Sequence, residues 1–359
     1  MHTKIISSLE DLVYIQEEWR HLFLEAEEYE VSQSPEWTLK WLKYFDKQSK
    51  LYIILVYERN QVIAVAPLLI RNYLGTRTLQ FIGAEESDYN DFIVHKNWLI
   101  QAKLAITQAL NESRHHWDIF EVMEASPGSI INSLVTPNWL PNTHLISLQE
   151  TPCPKISLPS SWEAYLSTLD AKNQQDYRRR LRRLTEDHGL DVKFFYKTID
   201  IEQKIKDFLI FRLDAWKRAD RIEELPSLHL ETDYISFVSE FCTEISNFGL
   251  VCLAQIYANN SVISSALTFL SKRKIFIYSK AYNRNYKRYG PGNLLDFFLI
   301  KYAIERGFDV FDFGRGDEPY KFKAGATSMN NNNYLVVQES LKSTISAYLT
   351  YRGLKRKEV

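Results

Sequence analysis

Cysteine is scarce. The three present among 359 residues, Cys153, Cys242 and Cys252, are too few and too scattered for a disulfide framework or a Cys-x-x-Cys site. Neither sign of charge prevails. Lysine plus arginine is 44 against 45 aspartate plus glutamate, a net charge of -1. That argues against a surface wholly given to nucleic acid and leaves room only for a local basic patch, so no DNA partner is expected. No window reaches about 18 uncharged apolar residues, the length a membrane span needs. The best runs, residues 62–70 and 294–304, are short or broken by Asp296 and Lys301. No long apolar stretch follows Met1-His2-Thr3-Lys4-Ile5-Ile6, so no signal peptide is expected and the expected compartment is a reducing cytoplasm. The histidines lack zinc spacing, so no metal is expected, and no Gly-x-Ser-x-Gly elbow occurs. What remains is ordinary for a globular protein: 45% hydrophobic and 25% charged residues, with 21 Tyr and 20 Phe. The length suggests two domains.

The chain repeats one plan. Residues 51–57 and 61–70 read as strands around the turn Arg59-Asn60, followed by a strand over 78–82. Residues 250–257 and 261–270 read the same way around Asn259-Asn260, followed by a strand over 274–282. Each triplet leads to a helix, over 98–113 and 292–306. Each helix leads to a similar strand, Trp117-Asp118-Ile119-Phe120 and Phe308-Asp309-Val310-Phe311. Helices are also expected over 9–29, 35–45, 162–169, 174–188 and 201–218. The offset of about 190–200 residues is one domain length. The two prolines of Pro152-Cys153-Pro154-Lys155 place the boundary, giving domains 1–154 and 155–359. Asn330 to Asn333 reads as a polar loop, and Lys355-Arg356-Lys357 as a solvated tail. The fold class is α/β.

One segment, Tyr282-Asn283-Arg284-Asn285-Tyr286-Lys287-Arg288-Tyr289-Gly290-Pro291-Gly292-Asn293, follows a strand and opens a helix. A helix start offers unpaired N–H groups and a positive dipole end, and the glycines let backbone approach an anion closely. Lys287 and Arg288 add cations. Leu295 excludes a Rossmann fingerprint, and Asn293 excludes a P-loop. A second segment, Phe311-Asp312-Phe313-Gly314-Arg315-Gly316-Asp317-Glu318-Pro319-Tyr320-Lys321, puts dense charge at a strand end, where sites commonly sit. The helix over 174–188 carries Arg178, Arg179, Arg180, Arg182 and Arg183. Five arginines in six positions repel one another unless an anion is near.

Together these segments resemble the CelD/BioF-type acetyltransferase-like family of the GNAT superfamily. Ser34-Pro35-Glu36-Trp37, the run from Phe81-Ile82-Gly83 to Asp91, and the arginine helix agree with that resemblance. It implies two tandem GNAT-like domains, similar in plan to FemABX peptidyltransferases, each a mixed, mostly antiparallel sheet flanked by helices. The first copy lacks the basic-x-x-Gly-x-Gly pattern, so a donor site belongs to the second. The activity implied is transfer of acetyl from acetyl-CoA to an amine or hydroxyl of a small or cell-envelope-related acceptor.

The resemblance also implies roles. Ala281 and Tyr282 would bind the donor's amide arm. Lys287, Arg288, Gly290, Gly292 and Asn293 would hold its pyrophosphate. Asp312, Asp317 or Glu318 would accept the proton, Tyr320 would protonate the thiolate, and Lys321 or Arg315 would meet developing charge or an anionic acceptor. Asp88, Tyr89 and Asp91 would line the acceptor cleft, and Arg178 and Arg182 would bind the substrate. Each has a plainer reading. Asp312 suits the solvent side of a half-buried strand, Asp317 and Glu318 a solvated turn, residues 85–91 an acidic surface loop, and the arginines a solvated helix face paired with Glu186 and Asp187. Two other functions fit the same residues: a FemABX-like transferase using charged tRNA, and a catalytically inactive scaffold in an exopolysaccharide-synthesis complex.

Overall fold

Two hairpins set the pattern of the computed structural model, which describes residues 1–46, 48–73, 75–217 and 228–340. Arg218, at the end of an expected helix, and the tail Lys355-Arg356-Lys357 lie outside the described residues. The first hairpin turns through Arg59 and Asn60 at φ 47° and 66°, the second through Asn259 and Asn260 at 48° and 61°. Such left-handed pairs match the twist of antiparallel strands. Each hairpin carries a register shift beside it, at Val56/Tyr57 and at Ile256/Tyr257.

The first unit comprises Met1–Thr151 together with the segment from Asn330. Its elements run β1 (His2–Ile6), α1 (Leu9–Tyr14), α2 (Gln16–Glu25), α3 (Pro35–Tyr44), β2 (Lys50–Leu51), β3 (Ile53–Glu58), β4 (Gln61–Ala66), β5 (Leu68–Tyr73), β6 (Thr76–Phe81), β7 (Ile93–Val94), α4 (Leu99–Glu112), β8 (Ile119–Ala125), α5 (Ile130–Leu134), β9 (Thr143–Ser147) and β10 (Thr151–Pro152). The single strand expected over 61–70 is two. Pro67 has no N–H for a ladder. There β4 stays in a four-stranded sheet, β1-β3-β4-β7, while β5 joins a second sheet.

The second unit, Pro152–Met329, contains β11 (Lys155–Ser157), α6 (Trp162–Thr168), α7 (Ala171–His188), β12 (Asp191–Phe195), α8 (Ile201–Lys217), α9 (Leu228–Ser246), β13 (Val251–Ala258), β14 (Ser261–Leu270), β15 (Lys274–Tyr282), α10 (Pro291–Glu305), β16 (Val310–Asp312) and α11 (Pro319–Lys323). Here β14 is unbroken, and one six-stranded sheet runs β11-β16-β15-β14-β13-β12. Only β15 and β16 pair in parallel. α10 is apolar nearly all round and packs Leu295, Ile300 and Ala303 against Ile275 and Ala266 of the sheet. α7 adds only a narrow stripe, Tyr177, Leu181 and Leu184, and leaves its arginine face outward.

Both units fix the same corner in the same way. The N–H of Asp118 donates to the carbonyl of Arg77 at 2.7 Å, and that of Asp309 to the carbonyl of Arg273 at 2.8 Å. In each case the arginine side chain returns to the aspartate carboxylate. These paired contacts account for the repeated aromatic-Asp-aliphatic-Phe strands.

The last strand, β17 (Asn330–Gln338), pairs with β8 and β9, so it belongs to the first unit. The expected assignment of everything after residue 155 to the second half does not hold for this strand, nor does the polar loop expected at 330–333. Asparagine is a poor strand former. Asn331 and Asn333 are nevertheless buried, because their amides bond backbone and side chains. Asn333 donates to the Gln149 carbonyl at 2.7 Å and accepts from the Glu124 N–H at 2.7 Å. Asn331 donates to the Asp88 carbonyl and to Glu124.

Candidate active site

The β15–β16 ladder is short. It pairs Lys274–Phe276 with Val310–Asp312 and then ends. Beyond it the strands part around a cavity of about 570 Å³. One wall is β15 from Ile277 to Tyr282, and the other is formed by Phe313, Arg315, Tyr320 and Lys321. A register shift at Leu267/Thr268 against β15 leaves Tyr278 as the extra residue at this edge. Bulges of this kind re-aim backbone beside sites. Gly292 and Asn293, in the first turn of α10, close the end. Their N–H groups precede the first intrahelical partner, so the positive end of a 15-residue helix faces the cavity.

Of the expected donor residues, Ala281, Tyr282, Gly292 and Asn293 line this cavity. Lys287, Arg288 and Gly290 do not. Lys287 and Arg288 are exposed in a short 3₁₀ segment. Arg288 pairs with Asp187 at 3.3 Å and with the Tyr289 hydroxyl, which itself donates to Asp187 at 2.6 Å. These groups fasten the loop to the end of α7. Of the basic residues in this loop, the one that lines the cavity is Arg284, three residues earlier. Both glycines have close neighbours. Gly290, at φ 61°, leaves the place of a Cβ to the Arg180 guanidinium, and a Cβ on Gly292 would meet the Tyr282 ring at 3.3 Å.

A second cavity, about 660 Å³, lies between α7 and α10. Arg179 and Arg180 line it. The two arginines chosen from sequence, Arg178 and Arg182, face Gln174 at 3.5 Å and Glu186 at 3.9 Å instead. Asn293 and Tyr320 line both cavities.

These features sit in a recognisable unit. Residues 171–322 match the acetyltransferase (GNAT) domain. The whole chain is similar in fold to the crystal structure of FemX, with TM-score 0.61, 12% identity, and 94% of this chain and 97% of that chain covered. It is also similar to a C-terminal domain (DUF2156) of a provisionally named lysylphosphatidylglycerol synthetase from Agrobacterium fabrum, with TM-score 0.54, 12% identity, and 94% and 95% covered. A conserved protein of unknown function from Bacteroides thetaiotaomicron gives TM-score 0.54 at 9% identity, with 93% and 99% covered. No curated protein matches.

Within the GNAT domain the expected catalytic residues separate. Tyr320, Arg315 and Glu318 line the splayed cavity. Asp317 is exposed and does not line it. Asp312 is fully buried, not solvent-facing. Its carboxylate lies 3.2 Å from Lys155 and 3.4 Å from Lys274 and accepts the Gly314 N–H at 2.9 Å. It ties β11, β15 and β16 together and does not line either cavity of this domain. Lys321 lines the cavity, but its ammonium is spent on the loop. It donates to the carbonyls of Arg315 and Gly316 at 2.6 and 2.9 Å and pairs with Glu318 at 2.9 Å.

Two further residues within 171–322 border these cavities. Lys280 Nζ pairs with both carboxylate oxygens of Asp296, at 2.5 and 2.6 Å, and lies 4.3 Å from the centre of the Tyr320 ring. Burial pushes the Lys280 ammonium down and the Asp296 carboxyl up. Asp296 entered the sequence reading only as an interruption of an apolar run. A carboxylate at a core position of an otherwise apolar helix was the available signal.

In the first unit, Tyr89 and Asp91 line a cavity of about 470 Å³ with Glu27, Glu28 and Glu30. Asp88 does not line it. Asp91 accepts the N–H groups of Ile130 and Ile131, each at 2.8 Å, and so caps α5. Burial pushes Asp91 up to about 7 against those donors. Glu86 accepts the Trp41 indole N–H at 2.5 Å, and burial pushes it likewise to about 7. Among the described residues no cluster of His, Cys, Asp or Glu could hold a metal, and no helix is long and apolar enough to cross a membrane.

Proposed function

We propose that this protein is an acyltransferase of the CelD/BioF type. It would move acetyl from acetyl-CoA to an amine or hydroxyl of a small or cell-envelope-related acceptor, with the chemistry in the second unit. The observation that carries this reading is the parting of β15 and β16 at the positive end of α10. A thioester arm laid along Ile277–Tyr282 would replace the missing strand partner, and its diphosphate would meet the N–H groups of Gly292 and Asn293. Arg284 brings positive charge to the same end, and so does Arg180, which also pairs with Asp176 at 2.6 Å. A volume of about 570 Å³ is within the usual range for small-molecule sites. Tyr320 supplies a phenol near the leaving thiolate, and Glu318 a carboxylate at the mouth.

Isothermal titration with acetyl-CoA tests this. Binding by the native protein, weakened about tenfold or more by Arg284→Ala, supports it. Failure to bind any acyl-CoA contradicts it. A second reading, transfer of an aminoacyl group from charged tRNA, is favoured by the FemX-like fold across the whole chain and by Arg180 seated on Gly290, which narrows the diphosphate position. Titration with aminoacyl-tRNA in place of acetyl-CoA separates the two.

A further inference from the structure

Lys280 and Asp296 are an unusual pair for a protein interior. Their side chains are 13% and 2% exposed. Removing both charges from water costs more than their attraction returns in many proteins, and apolar residues of similar size frequently stabilise such sites better. The pair also has a particular place. Lys280 lines the splayed cavity, Asp296 lines the cavity between α7 and α10, and Asn293 and Tyr320 line both. The ion pair therefore has one partner on each of two chambers that adjoin at Asn293 and Tyr320. Other titratable groups act on it from the surrounding elements. Lys321 and Glu318 act on Lys280 from α11 and the loop before it, Tyr320 lies under the ammonium, and Asp296 is felt by Tyr165 of α6.

We propose that Lys280 and Asp296 form a proton relay beside the place where the two chambers adjoin at Asn293 and Tyr320, so that an acyl thioester entering from the Lys280 side meets there an N–H or O–H acceptor entering from the Asp296 side. This rests on the acyl-thioester reading above. The acceptor nitrogen or oxygen attacks the thioester carbonyl carbon, so a C–N or C–O bond forms and the C–S bond breaks. The acceptor's proton goes to the Asp296 carboxylate, and the Lys280 ammonium gives its proton to the departing thiolate. The proton on Asp296 then crosses the 2.5 Å hydrogen bond to Lys280, which restores the pair. No other reactant is required. Burial lowers the proton affinity of Lys280 and raises that of Asp296, which narrows the gap this transfer crosses.

The bound coenzyme A thiol reports on the relay without any acceptor. Its thiolate absorbs in the ultraviolet, so its titration can be followed in the complex. A protonated Lys280 beside it should lower the thiol pKa by about one unit or more relative to free coenzyme A. Lys280→Met and Asp296→Asn should both remove that shift, the second by leaving the lysine without the partner that keeps it charged. The native protein carries the test alone if either variant fails to fold. A thiol that titrates as in free coenzyme A while bound to the native protein overturns the relay and leaves the acyl-CoA reading standing. A shift that survives either variant also overturns the relay. Absence of coenzyme A binding by the native protein overturns both.

Discussion

The Arg180 guanidinium occupies the place that a Cβ on Gly290 would take, so a side chain there would have to push the arginine aside. Gly290 caps α10 at φ 61°, so its lack of a side chain serves both the left-handed turn and the approach of the arginine. Gly290→Ala should lower stability by about 1–2 kcal/mol, read as a lower unfolding midpoint in urea. In Gly290→Ala/Arg180→Ala the loss should be smaller than the sum of the singles, because the arginine causes part of it.

Asp312 is a structural anchor in this account. Asp312→Asn would leave Lys155 and Lys274 facing a neutral group in a buried setting, at a cost of about 3–5 kcal/mol. Denaturant unfolding checks this. Lys155→Met should cost less, because Lys274 remains at 3.4 Å.

The repeated corner offers an internal comparison. Asp118 is 11% exposed and accepts from Arg77 through its backbone N–H, Nε and Nη2. Asp309 is 52% exposed. Asp118→Ala should therefore cost about 2 kcal/mol, and Asp309→Ala about 0–1 kcal/mol. Equal losses in thermal unfolding would contradict this.

Glu86 gives the first unit a pH dependence. Its folded value of about 7 lies above the unfolded value of about 4.3, so the folded state holds the proton more tightly. The stability this provides is complete below about pH 4 and is lost as pH rises through about 7, at most about 4 kcal/mol. Glu86→Gln keeps an acceptor for the Trp41 indole and should flatten the stability profile between those limits. Asp91, shifted the same way, would preserve part of the slope.

The repeat, the hairpins and the helix after the Gly-Pro-Gly turn were legible because each rests on local chemistry: asparagine turns, apolar periodicity, a proline at the first helical position. That Tyr320, Gly292 and Asn293 line one cavity was legible for the same reason, since strand ends and helix starts gather at such places. Lys280 and Asp296 were not, because their meaning comes from a pairing between a strand and a helix that neither segment announces. That Arg284 and not Lys287 lines the cavity was not legible, because a short 3₁₀ turn, not the motif spacing, decides which residue faces it. The return of β17 to the first unit depends on side-chain bonds from Asn331 and Asn333 to distant backbone, which no propensity encodes.

Amide hydrogen exchange with and without acetyl-CoA reads donor binding segment by segment. Protection should concentrate at residues 277–282 and 290–295, the open edge of β15 and the start of α10. Acetyl-CoA binding that leaves both segments unchanged and protects another part of the chain would contradict it.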